Sequence, residues 1–104
     1  MARLPIDDHN APLYSLGQVA DMLEVQQAFL RRLDEFEVVR PRRSSGGQRR
    51  YSRADITRVQ YVAELSDEGM TLIAIRRILE LEQEVKALKK ELEATRRLLP
   101  PADH

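Results

Sequence analysis

The chain has 104 residues, and its seventeen basic and seventeen acidic side chains cancel to a formal charge of zero. It has no cysteine, which excludes disulfides and thiolate metal sites, and no apolar run approaches the ~20 residues of a membrane span. With 33% charged and 5% aromatic residues and no signal-peptide pattern, it reads as a soluble, cytoplasmic, helix-rich protein whose small core a second copy would help to complete.

Residues 1–13 carry two prolines, an Asn and acidic residues without periodicity, and are expected to form a flexible arm. Ser15 followed by Gln18 is a capping box, and Leu16, Val19, Ala20 and Leu23 follow at helical spacing. This predicts a short helix over 16–23. Glu24-Val25 forms a tight connection to a second helix over 26–35 that buries Phe29, Leu30 and Leu33. Two short helices so joined make a helix-turn-helix pattern.

Pro41 then bars a helix, and extended arms at 38–40 and 48–51 flank Ser44-Ser-Gly-Gly47, which reads as a small β-hairpin whose glycines supply positive φ. Ser52 and Asp55 form another capping box and open a helix over 53–68 with Ile56, Val59, Gln60, Tyr61, Val62 and Ala63 as its packing face. Gly69 fits a C-terminal cap with Met70 after it. Thr71 caps a last helix that meets no breaker before Pro100-Pro101.

In that last helix Ala74, Ile78, Leu81, Val85, Leu88, Leu92, Thr95 and Leu99 alternate at spacings of four and three, a coiled-coil seam. The helix should reach roughly 43 Å, too far for its outer half to pack on a small domain. Ile78, Leu81, Val85, Leu88, Leu92, Thr95 and Leu99 are therefore expected to pair with a second copy of the chain. A lone helix held by Glu82–Lys86 and Glu84–Lys89 pairs is the weaker alternative, at ~0.2–0.5 kcal/mol per pair. The expected organisation is an arm over 1–13, a DNA-binding domain over 14–70, a dimerisation helix over 71–99 and a tail over 100–104.

Charge is unevenly placed. From Arg31 to Arg58 nine arginines stand against Asp34, Glu35, Glu37 and Asp55, whereas acids outnumber bases from Glu64 to Glu93. An arginine-rich turn beside a helix-turn-helix points to nucleic acid. Arg42, Arg43, Arg49 and Arg50 would donate to phosphates, with Gly46 and Gly47 allowing close backbone approach. Tyr51 would bond a phosphate or pack beneath the hairpin. Gln26, Gln27, Arg31 and Arg32 would read base edges in a major groove, with Ser15 completing the DNA-facing set. Arg32 lies about 100° around the helix from Arg31, so the two cannot both face one groove squarely. There is no His–acid–nucleophile set, HExxH or phosphate loop, and Glu80, Glu82 and Glu84 read as a rod surface. No enzyme activity, cofactor or metal is expected.

The stretches "YSLGQVADMLEV", "FLRRLDEFEVVRP" and "SSGGQRRYSRADITRVQYVAELSDEGMTLIAIRRILE" resemble the winged helix-turn-helix of the MerR family of bacterial transcription regulators over residues 14–82. "SGGQRRYS" and "ELSDEGMTLIAIRRILELEQEVKAL" are most similar to its heat-shock repressor, HspR-like, branch. The resemblance implies a mainly α fold with a hairpin wing, and a dimer joined by an antiparallel coiled coil. It places helix two in a major groove and the wing on the flanking backbone. The chain resembles members without a small-molecule effector domain, which answer to a protein partner; in the heat-shock branch that partner is the DnaK chaperone. It departs from the family at Glu24 and Glu37, where glycine is usual, at Gln26, where Ser or Pro is usual, and at Leu33-Asp34, where an aromatic precedes the acid. The wing thus looks intact and the reading helix altered.

The expected function is that of a homodimeric, sequence-specific DNA-binding transcriptional repressor. The alternative is a protein-interaction module that uses the coiled coil and retains the helix-turn-helix as a scaffold. A DNA-bending architectural protein of the excisionase kind is a third reading.

Overall fold

A computed structural model describes residues 7–101. The first six residues of the expected arm and the last three of the expected tail lie outside this range. Strand β1 (Tyr14–Ser15) leads into α1 (Leu16–Leu23) and α2 (Gln27–Glu35); β2 (Arg42–Arg43) and β3 (Arg49–Tyr51) form the hairpin; α3 (Arg53–Asp67) and α4 (Leu72–Leu98) follow. The result is mainly helical: a helix-turn-helix, a small antiparallel sheet in the order β1-β3-β2, and a long terminal helix.

Capping side chains set the helix starts. Ser15 Oγ accepts from the Gln18 N–H at 3.2 Å while Gln18 Oε1 accepts from the Ser15 N–H at 2.9 Å. Ser52 and Asp55 repeat the box at the head of α3, and Thr71 Oγ1 accepts from the Ala74 N–H at 3.2 Å at the head of α4. At Gly69, φ is 94°, and the Met70 N–H reaches back to the Leu65 carbonyl at 3.2 Å, a Schellman closure. Only α2 starts without such help: Gln26 makes no side-chain cap bond.

Glu24 and Glu37 both adopt left-handed backbone, with φ of 55° and 58°. Each stands where the family resemblance leads one to expect glycine, because each chain reversal needs that geometry. After Glu37 the Val38 and Val39 N–H groups both return to the Leu33 carbonyl, at 2.8 and 3.2 Å. This packs both valines into the core at 7% and 1% exposure. Two consecutive buried side chains cannot alternate across a sheet, so the first hairpin arm is not 38–40. It begins after the buried Pro41, at Arg42. The expected glycine geometry also narrows: Gly47 alone in the turn has positive φ, at 81°.

The core joins Val19 and Ala20 of α1, Leu30 and Leu33 of α2, Tyr51, and Ile56, Val59, Val62 and Leu65 of α3, closed by Leu72 and Ile75. On α3 the packing face is shifted from expectation. Gln60 is exposed, Tyr61 turns outward to donate to Glu82 at 2.7 Å, and Leu65 is buried. Part of the expected arm lies against the domain: Ala11 is buried, and the His9 carbonyl accepts from the Ala54 N–H at 3.0 Å.

Past Leu79 the last helix leaves the body. Every residue from Glu80 to Pro101 is exposed. The radius of gyration is 17.9 Å, against about 13 Å for a compact chain of this length. Neither the Glu82–Lys86 nor the Glu84–Lys89 pair forms among the described residues; the ion pairs along this helix are Arg76 and Arg77 with Glu80, and Arg97 with Glu93.

Candidate nucleic-acid interface

The helix-turn-helix presents one face of α2 to solvent. Gln26, Gln27, Arg31 and Arg32 are all exposed there. Gln27 and Arg31, four residues apart and so on one face, are linked by an Arg31–Gln27 side-chain bond of 3.3 Å. Arg32 lies around the helix, beside Phe29 and the end of α3 at Ser66 and Asp67. Ser15 is half-buried, and its hydroxyl is occupied by the capping bond from Gln18.

The wing is built on a tight turn. The Gly47 N–H donates to the Ser44 carbonyl at 2.9 Å, and the Ser44 N–H to the Gln48 carbonyl at 2.7 Å. Register places Arg42 opposite Arg50 and Arg43 opposite Arg49. Like charges directly opposite one another repel, and the two pairs are treated differently. Arg43 and Arg49 lie on the face shared with Tyr51, turned toward α2. There the Asp34 carboxylate accepts from Arg49 Nε at 2.7 Å and from Arg43 Nη2 at 3.0 Å, with Arg40 Nε at 3.8 Å. The Asp34 side chain is only 10% exposed, so these are charge-assisted bonds in a partly desolvated place. They fasten the wing to α2. Arg42 and Arg50 have no carboxylate partner among the described residues. Arg50 donates only to neutral acceptors, Gln48 Oε1 at 3.1 Å and the Arg49 carbonyl at 3.4 Å.

Tyr51 does not reach the surface. Its ring is 1% exposed, so of its two expected roles the structure supports packing beneath the hairpin. Burial, joined by the charges of Asp34 and Asp55 and opposed by Arg49 and Arg43, pushes its hydroxyl up to about 12. That hydroxyl has no hydrogen-bond partner among the described residues.

Sequence reasoning missed Asp34. Its one available signal was an acid placed closely after two arginines and ahead of the basic turn. It also missed a cleft of about 220 Å³ beside the wing, lined by Arg40, Arg42 and Arg58 together with Asn10, Pro12 and the first turn of α3. Among the described residues no group of three or more His, Cys, Asp or Glu could hold a metal, and no helix is long and apolar enough to cross a membrane.

The seam residues sit on the projecting helix. Ile78 is half-buried against the core, and Leu81, Val85, Leu88, Leu92 and Leu99 are 42 to 63% exposed. Thr95 is exposed and returns its hydroxyl to the Glu91 carbonyl at 2.9 Å. Ile78, Leu81 and Val85, with Glu82, Lys86 and Lys89, line a shallow apolar groove of about 460 Å³.

The sequence profile of MerR HTH family regulatory proteins matches residues 14–82. A protein of Streptomyces coelicolor named as heat shock protein HspR is 38% identical over 81 residues, covering 77% of this chain and 54% of that protein. The chain thus spans about half the length of this relative. The HTH-type transcriptional regulator GlnR of Bacillus anthracis is 26% identical over 92 residues, covering 88% of this chain and 71% of that protein. Among solved structures, a MerR-family transcriptional regulator from Bacillus cereus superposes with a TM-score of 0.58 at 20% identity, over 81% of this chain and 69% of that one. At that identity the likeness is one of fold.

Proposed function

The chain belongs to the MerR HTH family of regulatory proteins, and from that membership we propose that it binds double-stranded DNA as a homodimer and regulates transcription as a repressor. The observation that carries this is the fastening of the wing to α2. One carboxylate, Asp34, ties a basic hairpin to the helix that presents Gln26, Gln27, Arg31 and Arg32. Groove-reading and backbone-holding surfaces are thereby fixed relative to each other, as phosphate contacts must be if they are to set the register for base readout. The α4 seam brings two such units together through Leu81, Val85, Leu88, Leu92, Thr95 and Leu99. An antiparallel pairing sets Glu80, Glu82 and Glu84 of one copy near Arg96 and Arg97 of the other.

Selection of bound sequences from a random duplex pool tests this. A two-fold symmetric consensus is the expected outcome, and repression then shows as reduced transcription from a promoter carrying that site. Failure to retain any duplex at low salt rejects the proposal. The exposed apolar stripe of α4 favours a second reading, a module that docks another protein. A stoichiometric complex of α4 with a different chain, without duplex retention, would support it.

A further inference from the structure

The two faces of the wing carry equal numbers of arginines but unequal numbers of acids. Inner-face Arg43 and Arg49 already share an anion, the Asp34 carboxylate. Outer-face Arg42 and Arg50 are likewise directly opposed, yet neither has a carboxylate partner among the described residues. Two guanidinium groups held across a ladder with no counter-charge make a place that an external anion stabilises. Arg42 also lines the cleft of about 220 Å³ between β2 and the start of α3. Arg58 stands on the far side of that cleft, and its only carboxylate contact among the described residues is a 3.5 Å pair with Asp55. Asp55 is itself engaged by the Ser52 N–H at 2.9 Å. In the first helical turn the Ala54 N–H goes to the His9 carbonyl and the Asp55 N–H to Ser52 Oγ. The guanidinium groups supply the charge of this surface.

We propose that Arg42 and Arg50 on the outer face of the wing, with Arg58 across the adjoining cleft, hold backbone phosphates of the bound duplex, and that Arg43 and Arg49 are positioning residues turned inward to Asp34. This rests on the DNA-binding function proposed above and assigns its phosphate contacts to particular side chains. Guanidinium groups suit the task because their planar fork meets two phosphate oxygens at once.

The test uses the full chain and two variants, one outer (Arg42→Gln, Arg50→Gln, Arg58→Gln) and one inner (Arg43→Gln, Arg49→Gln). Binding of a random-sequence duplex is measured across a salt series. The outer variant should keep the wild-type circular dichroism and melting midpoint. Its plot of log affinity against log salt should flatten by at least about two, because the three side chains of each subunit of a dimer neutralise at least one phosphate, at ~0.9 apiece. The inner variant should melt earlier but, well below its midpoint, keep the wild-type slope. An outer variant with the wild-type slope, or an inner variant that alone loses it, overturns the assignment while leaving DNA binding intact. A wild-type chain that ignores duplex at low salt overturns the function itself. Titration with inorganic phosphate, followed on the arginine side-chain resonances, adds another arm. Saturation of Arg42 and Arg58 by phosphate, with the salt slope of the outer variant unchanged, identifies a small free anion as the occupant and rejects the duplex.

Discussion

Tyr51 is almost wholly enclosed and its hydroxyl has no partner among the described residues, so its ionisation is a stability question. Its folded value of about 12 lies above the ordinary 10.0. Above pH 10 the unfolded chain sheds this proton while the folded chain keeps it, so stability is fully present below pH 10 and falls as pH rises toward 12. The loss is on the order of 2 kcal/mol. Tyr51→Phe should therefore be neutral or stabilising at pH 7, since it removes an unsatisfied hydroxyl. It should also show a shallower fall between pH 10 and 12, read as the wild-type-minus-variant difference in urea unfolding, which cancels the other tyrosines. Glu24 gives a second residue-scale expectation. A non-glycine in left-handed backbone costs roughly 1–3 kcal/mol, and glycine's extra chain entropy costs only about 0.5–1. Glu24→Gly should thus stabilise by about 1 kcal/mol and raise the melting midpoint by roughly 4–8 °C. Glu37→Gly should gain less, because Glu37 also holds Arg40 at 3.3 Å. An unchanged or lowered midpoint for Glu24→Gly would show that the α1–α2 turn carries no strain.

Among the elements, the wing is fixed by one link to α2, and Asp34→Asn isolates it. An amide cannot hold two guanidinium groups as the carboxylate does, so folding stability should drop by about 1.5–3 kcal/mol. Arg43 and Arg49 would be released to solvent. Affinity for random duplex should then rise and its salt dependence steepen, while preference for a selected site falls because wing and reading helix no longer share a fixed register. A variant that loses affinity for all sequences in equal proportion would argue against the link. That link shows where the sequence stopped being legible. Capping residues Ser15, Ser52 and Thr71 and the Gly69 terminator marked the helix ends to within a residue or two, because those signals are local. Strand β1, two residues long, is too short to show any alternation. Val38 and Val39 look like a strand because both are β-branched; the left-handed turn at Glu37 and the tertiary pull of the core make them a buried corner instead. Where β2 starts decides which arginines face inward. The exposed face of α2 could thus be read in advance, but the division of Arg42 and Arg50 from Arg43 and Arg49 could not, and neither could the role of Asp34, whose partner Arg49 is fifteen positions away.

Over the whole molecule, stability is most finely balanced in α4. Helices in proteins draw most of their stability from packing an amphipathic face, every residue of α4 from Glu80 onward is exposed, and the i,i+3 and i,i+4 pairs of Glu80 and Glu93 add only a few tenths of a kcal/mol each. The apolar seam outweighs them: each leucine fully removed from water contributes about 1.5–3 kcal/mol, and Leu81, Val85, Leu88, Leu92 and Leu99 are all still half exposed in the single chain. The proposed pairing with a second copy would stabilise the rod, and Leu88, midway along it and 62% exposed, is the position to test. Leu88→Asp loses that burial and asks a carboxylate to enter an apolar seam, a penalty of several kcal/mol, so dimer affinity should fall at least a hundredfold. Sedimentation velocity at micromolar concentration should then show a monomer, with reduced helical circular dichroism as the outer half of α4 frays. The body of the domain does not depend on Leu88, so each monomer should still hold one half-site. DNA affinity should drop, and its dependence on the spacing between half-sites should vanish, because two unlinked domains have no preferred separation. A dimer of wild-type strength in Leu88→Asp would mean that the seam is not what joins the subunits. Monomers that still discriminated spacing would mean that DNA, rather than α4, brings the two copies together.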